Sequence, residues 1–311
     1  MVEGAGPGVV PSPKLSALFP HLFLKLRPTF DGNSPIIMTG SLLIMNDVYI
    51  LPMAESLLPS ATNDSRQMLC SAFGAHAFLS KLAKTQPRDY HKLLWTPSRE
   101  CVVLIGSCNY GDSLDDVLHM FEVTRYGNAR VNNEWRFTLI TLSDFVELLR
   151  EGALESRMPA TAVGSQPVVV PPDTPIKEAV SLMLENRVRR LFIKGRGPTY
   201  VSDRTIISYM FSGERINLAR RNPEKWFDAK VSETSLREAP TIETGATLSE
   251  AAAAIGSRPD DCLFTGDGKV VSRWDMIMKP WNAGELGPPG AGKDKVPSRR
   301  SPEGKEPVGR D

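Results

Sequence analysis

Residues 167–211 read PVVVPPDTPIKEAVSLMLENRVRRLFIKGRGPTYVSDRTIISYMF. The run starts with a short β-branched segment and a Pro-Pro-Asp turn. Thr174 then precedes Ile176, Ala179, Val180 and Met183, spaced i, i+3, i+4, i+7, which is one buried stripe of a helix. Two short apolar strands with a turn between them follow, then a second helix from Ser202. The expected unit is β-α-β-β-α.

The same grammar occurs twice more. VVLIG (102–106), GDSLDDVLHMFEVT (111–124) and RFTLITLSDFVELL (136–149) form one copy, and APTIE (239–243), GATLSEAAAAIGSR (245–258) and DCLFTGDGKVVSRWDMIM (261–278) another. Ser113 and Thr247 precede the helical stripes there, and TGDGK (265–269) reads as a hairpin turn. The first-helix anchors Leu114, Ile176 and Leu248 lie 27, 26 and 24 residues before Thr141, Ser202 and Ser272. These are copies one, two and three. A unit of this size buries too little surface alone, so units should pair. The connection 212–238 has room for a crossing helix. Upstream, 41–52 reads as a hairpin and 64–83 as a helix started by Asp64, so a degenerate fourth copy is expected within 34–96.

The rest of the chain bounds its class. It has 311 residues, 41% hydrophobic and 23% charged, with net charge +1. That composition is globular and gives no global pull toward nucleic acid or a membrane surface. No apolar run approaches the ~18–20 residues a bilayer span needs, and the N-terminus lacks a secretory pattern. Cys70, Cys101, Cys108 and Cys262 form no CxxC and have no His at zinc spacing, so free thiols in a reducing cytoplasm are expected. Residues 1–13 and 283–311 are rich in Gly, Pro or charge and read as flexible. GPPGAGKDK (287–295) lacks the GxxxxGK[ST] spacing of a phosphate loop, because Asp294 follows Lys293. His21, His76, His91 and His119 are scattered, and no nucleophile and base converge, so the chain is read as non-catalytic. Trp226 and Trp281 could be core or interface.

The stretches PDTPIKEAVSLMLENRVRRLFI, LITLSDFVELL and GDGKVVSRWDMIM resemble the cystathionine-β-synthase (CBS) domain, over roughly 97–280, and two adjacent copies resemble its tandem pair, the Bateman module. The resemblance implies an α/β (α+β) fold of units paired about pseudo-two-fold axes. The expected division is an N-terminal segment (1–33), the fourth-copy block (34–96), units one (97–154) and two (155–214), a linker helix with unit three (215–282), and the tail. It also implies no catalytic cofactor, and a regulatory ligand between paired units: AMP, ADP, ATP or S-adenosylmethionine. A homo-oligomer, as a dimer, and a regulated partner protein are expected, with no membrane.

Thr141-x-x-Asp144 and Ser272-x-x-Asp275 carry two readings. Ser/Thr-x-x-acid caps a helix. The same geometry offers a helix N-terminus to a phosphate and a carboxylate to a ribose diol. Copy two has Ser202 but Thr205 in place of the acid, which weakens its clamp. In the family, basic residues before the second strand reach phosphate. Arg189 and Arg190 match that position, with Arg187 nearby, and an ion pair with a neighbour is the competing role. Asp260 and Asp261 in copy three would repel phosphate. Adenine would lie on the first strand, at Val168-Val169 or Thr241-Ile242. Alternatives are a structural or protein-interaction scaffold with vestigial pockets, and a nucleic-acid binder using 187–190, 215–221 and the tail.

Overall fold

The computed structural model describes residues 12–19, 69–73, 75–89, 92–93, 102–133, 136–256 and 261–290. At the N-terminal side lie α1 (Leu15–Leu18), β1 (Leu69–Phe73) and α2 (Ala75–Lys84). Copy one is β2 (Val102–Asn109), α3 (Leu114–Thr124), β3 (Asn128–Asn133), β4 (Arg136–Thr141) and α4 (Leu142–Arg150). After β5 (Glu155–Ser156) and α5 (Ala160–Val163), copy two is β6 (Val169–Val170), α6 (Ile176–Glu185), β7 (Arg190–Ile193), β8 (Thr199–Ser202) and α7 (Asp203–Met210). Helices α8 (Gly213–Arg221) and α9 (Pro223–Phe227) and strand β9 (Arg237–Glu238) lead to copy three: β10 (Thr241–Ile242), α10 (Leu248–Ala254), β11 (Leu263–Thr265), β12 (Val270–Val271) and α11 (Arg273–Asn282). Strand β13 (Leu286–Gly287) follows.

All three copies adopt the β-α-β-β-α order read from the sequence. In each, the first strand runs parallel to the second and the second antiparallel to the third. The stripe residues Leu114, Val117, Leu118 and Phe121, and Ile176, Ala179, Val180 and Met183, are buried. Gly268 takes φ 83° in the 265–269 turn, where a Cβ would be strained.

The copies pack in two ways. Copies two and three face each other through their sheets: the Phe192 and Phe264 rings lie 5.6 Å apart, beside buried Tyr200, Ala239 and Cys262. Copies one and three share a core through their helices, with Phe145, Leu148 and Leu149 of α4 beside Leu248, Ala251 and Met276. Trp281 fastens this contact, its Nε1 donating to Asp115 Oδ1 at 2.7 Å. Copy two builds a second core with Leu79 and Leu82 of α2 and with Trp226 and Phe227 of α9. Trp226 is fully buried and its Nε1 donates to the Met210 carbonyl at 2.9 Å. Trp226 is therefore core and Trp281 interface.

The structure corrects several local expectations. The stretch 69–73, expected in a helix over 64–83, is a strand antiparallel to β2, and the helix begins at Ala75. Pairing with β2 overrides local helix preference there. The remainder of that helix and the 41–52 hairpin lie outside the described residues. The tail does not start at 283: β13 pairs with β5, Leu286 opposite Ser156. The 1–13 segment ends in fixed structure, with the Pro13 carbonyl accepting from the Leu114 amide at 2.8 Å. Thr174 does not cap α6; its hydroxyl donates to the Pro171 carbonyl, and Pro175 occupies the cap position. The 212–238 connection holds two helices rather than one.

Candidate functional site

In each copy the third strand delivers a Ser or Thr to the N-terminus of the second helix. In copy one, the Thr141 amide and hydroxyl both donate to Asp144 Oδ2, at 2.7 and 2.8 Å. In copy three, the Ser272 amide and hydroxyl donate to Asp275 Oδ2 at 3.0 and 2.6 Å. In copy two, Thr205 replaces the carboxylate: its Oγ1 accepts from the Ser202 amide at 2.9 Å. Helix starts that carry no ligand expectation show the same box, at Ser113 with Asp116 and at Thr247 with Glu250. A capping box alone therefore does not mark a site. The second carboxylate oxygen and the surroundings carry that distinction.

Asp275 is nearly buried. Its Oδ1 lies 2.9 Å from Lys279 Nζ and 3.4 Å from the Ser165 hydroxyl, which donates to it. Ser165 belongs to the stretch between α5 and β6, and its amide donates to the Val270 carbonyl at 2.9 Å. The copy-three helix start thus abuts the entry to the first strand of copy two. On that strand Val168 is half-buried and Val169 is 51% exposed, an uncovered apolar surface on an edge strand. On the edge strand of copy three, Thr241 is exposed and Ile242 half-buried.

The arginines expected to meet phosphate are engaged within the protein. Arg189 Nε donates to Asp203 Oδ2 at 2.7 Å, and Asp203 is buried. Arg190 Nη2 donates to the Asp261 carbonyl at 3.1 Å. Arg187 is exposed and ends α6 in the left-handed conformation, φ 53°. Asp261 also pairs with Arg237 at 2.6 Å, and buried Arg273 donates to the carbonyls of Asp261 and Gly256. Asp260 lies outside the described residues. Burial pushes the Tyr200 phenol, beside Cys262 and Arg237, far above its ordinary range.

One contact recurs in three chemistries. Strand pairing aligns Arg130, Phe192 and Phe264, each opposite a first-strand residue (Ser107, Val169 and Thr241). Three residues earlier stand Gly127, Arg189 and Asp261, and the first helical residues after the cap are Leu142, Asp203 and Arg273. Copy one places Leu142 against Gly127, where a Cβ would lie 2.2 Å from the Leu142 side chain. Copy two uses the ion pair of Arg189 with Asp203, and in copy three Arg273 donates to the Asp261 backbone carbonyl at 3.4 Å while the Asp261 carboxylate pairs with Arg237. Sequence reading missed this because the pairs lie 12 to 15 residues apart and no position keeps its residue type across the copies.

A second missed feature is an antiparallel bridge onto each first helix. Lys14 pairs with Ser113, Lys230 with Pro175, and Pro159 with Thr247. Copies two and three exchange these bridges, since the segment preceding each pairs with the other. The residues, PKL, AKV and MPA, are too short a pattern to find unaided.

Among the described residues no group of three His, Cys, Asp or Glu is placed to hold a metal ion, and no helix is long and apolar enough to cross a membrane.

A CBS domain family model matches residues 162–199. That match lies in copy two, which packs sheet to sheet with copy three, and the fold of the chain is that of CBS-domain proteins. Its fold is similar to that of the protein MJ1225 from Methanocaldococcus jannaschii, described as a proposed archaeal homolog of g-AMPK. That likeness has 16% identity and a TM-score of 0.57, and covers 71% of this chain and 86% of that one. An uncharacterized conserved protein from Pyrococcus horikoshii matches at 16% identity and TM-score 0.40, over 55% of this chain and 76% of that one. CBSX2 in complex with AMP matches at 15% identity and TM-score 0.30, over 40% of this chain and 98% of that one. No curated protein matches the sequence.

Proposed function

We propose that the chain is a non-catalytic sensor that binds an adenine nucleotide or adenosyl ligand between paired CBS units. Its clamps are Thr141 with Asp144 and Ser272 with Asp275. The observation that carries this reading is a carboxylate three residues after the cap at one register in copies one and three, with Asp275 set against the stretch that leads into the first strand of copy two. Beside the copy-three clamp, exposed apolar Val169 lies on the copy-two strand that Ser165 leads into, which suits adenine. The likeness to a proposed g-AMPK homolog supports an adenine-nucleotide ligand and a regulated partner. Ligand order in the cleft would shift the angle between units and so bias that partner.

The block 34–96 belongs to this proposal as a fourth unit. Helix α2 packs on copy two as α4 packs on copy three, and Pro13–Leu15 bridges copy one as the later bridges do their copies. Buried free thiols at Cys108 and Cys262 suit the cytoplasm. Homodimerisation is tested by sedimentation. Val123 and Val169 are exposed large apolar side chains.

Calorimetric titration of the full chain with AMP, ADP, ATP and S-adenosylmethionine tests the reading. Asp275→Asn and Asp144→Asn should each weaken affinity about tenfold while shifting stability by less than about 1 kcal/mol. Absence of heat at millimolar ligand sinks it. An unchanged affinity with a sharply lower melting point would assign Asp275 to the cap alone. The scaffold reading is favoured by one observation: copy two lacks the acid, and its Arg189 is held by Asp203.

A further inference from the structure

Both oxygens of Asp275 are in use. Oδ2 accepts from the Ser272 amide and hydroxyl. Oδ1 faces Lys279, one turn further along α11, and accepts from Ser165. Lys279 Nζ also donates to the Val163 carbonyl at 2.5 Å and to the Ser165 hydroxyl at 2.8 Å. An ammonium has three donors, and these three acceptors match them. Two of the acceptors lie in 163–165, the stretch that leads into Val168 and Val169. Lys269 holds the same stretch from the other side, donating to the Thr161 carbonyl at 3.0 Å.

A ribose diol bound at Asp275 needs acceptor capacity at Oδ1, because the cap already uses Oδ2. That place is held by Lys279. We propose that Lys279 is a built-in competitor at the Asp275 clamp, so that a cis-diol ligand displaces it and thereby unfastens 163–165. Occupancy of the copy-three clamp is then transmitted to the first strand of copy two. This rests on reading Asp275 as a ribose clamp. The ion pair is half exposed at the lysine, with side chains 39% and 12% exposed, so the competition is modest and reversible. That suits a sensor, since a fully buried pair would resist exchange.

The test uses the full chain and Lys279→Met, which keeps the apolar stem and removes the ammonium. AMP affinity is measured by calorimetry, and amide exchange across 161–165 by mass spectrometry, with and without AMP. The expected result is AMP binding about two- to fivefold tighter in the variant. Ligand-free Lys279→Met should exchange faster at 163–165 than the parent, and AMP should speed exchange there only in the parent. Equal or weaker AMP binding in the variant, with binding by the parent intact, overturns the competitor and leaves the clamp standing. Lack of AMP binding by both proteins removes the clamp, and the competitor with it.

Discussion

Copies two and three share one fold and face each other, yet they fill the same contact with different chemistry. At the start of the second helix, copy two sets Arg189 against buried Asp203, and copy three sets Asp261 near buried Arg273. Two residues further along the helix, copy three keeps Asp275 where copy two has Thr205. The two also differ in support: copy two leans on α2 and α9, copy three on copy one. The backbone contact is the constant, and the side chains that fill it are exchangeable within sterics and charge balance. A carboxylate at the third helical position is not required for folding, because Thr205 caps α7 without one.

The comparison can be broken most severely at Trp226. Trp226→Ala should cost about 3–5 kcal/mol, since it removes a fully buried ring packed on Phe211 and Phe227. Denaturant unfolding should show the copy-two side lost first; a single unchanged transition would mean that the two cores are not separable. Next in size is Asp203→Asn, at about 2 kcal/mol, because Arg189 loses the carboxylate that holds it. The double change Arg189→Gly with Asp203→Leu imports the copy-one pair, and should recover at least about 1 kcal/mol relative to the sum of the single changes in a double-mutant cycle. Additive losses would show that the three contacts are not equivalent.

Thr205→Asp sharpens the comparison in the other direction. It should stabilise α7 by about 0.5 kcal/mol through the helix start, read as a higher melting point. On the sensor reading it also adds ligand sites per chain, read as calorimetric stoichiometry.

The smallest effect is a pH dependence confined to copy two. Burial alone would raise the Glu233 carboxyl, but the Tyr209 hydroxyl at 2.7 Å, the Lys230 amide and Arg215 hold it below its ordinary value. A lowered folded-state value stabilises above the unfolded value and is lost as pH falls through the folded one. Glu233→Gln should therefore lower the melting point near neutral pH, and the difference from the parent should vanish as pH falls through that lowered value. The same hydrogen bond, with burial, pushes the Tyr209 phenol up to about 12. Absorbance titration should show it moving down in Glu233→Gln.

The repeat was legible because its signals are local. Helical stripes from Leu114, Ile176 and Leu248, the TGDGK turn and the Ser/Thr caps each depend on residues within about one element of one another. The 69–73 strand was not legible, because its partner is β2, with paired residues 29 to 37 apart in the chain. The proposed clamp residues share one register in the sequence, but the engagement of Asp275 by Lys279 and Ser165 was only half visible: Lys279 is four residues on, and Ser165 lies 110 residues away. The sequence likewise placed Arg189 and Arg190 at a strand entrance without revealing that Asp203 and the Asp261 carbonyl take them.

The sequence by itself determined three β-α-β-β-α units and the acids at two of their helix starts. Periodicity and capping are short-range, and each copy repeats them. Only the tertiary structure decided which faces meet, that Trp226 is core while Trp281 joins copies, and which charges are held inside. Those outcomes depend on contacts between residues far apart in the chain, where packing and charge compensation, not local pattern, select the partner.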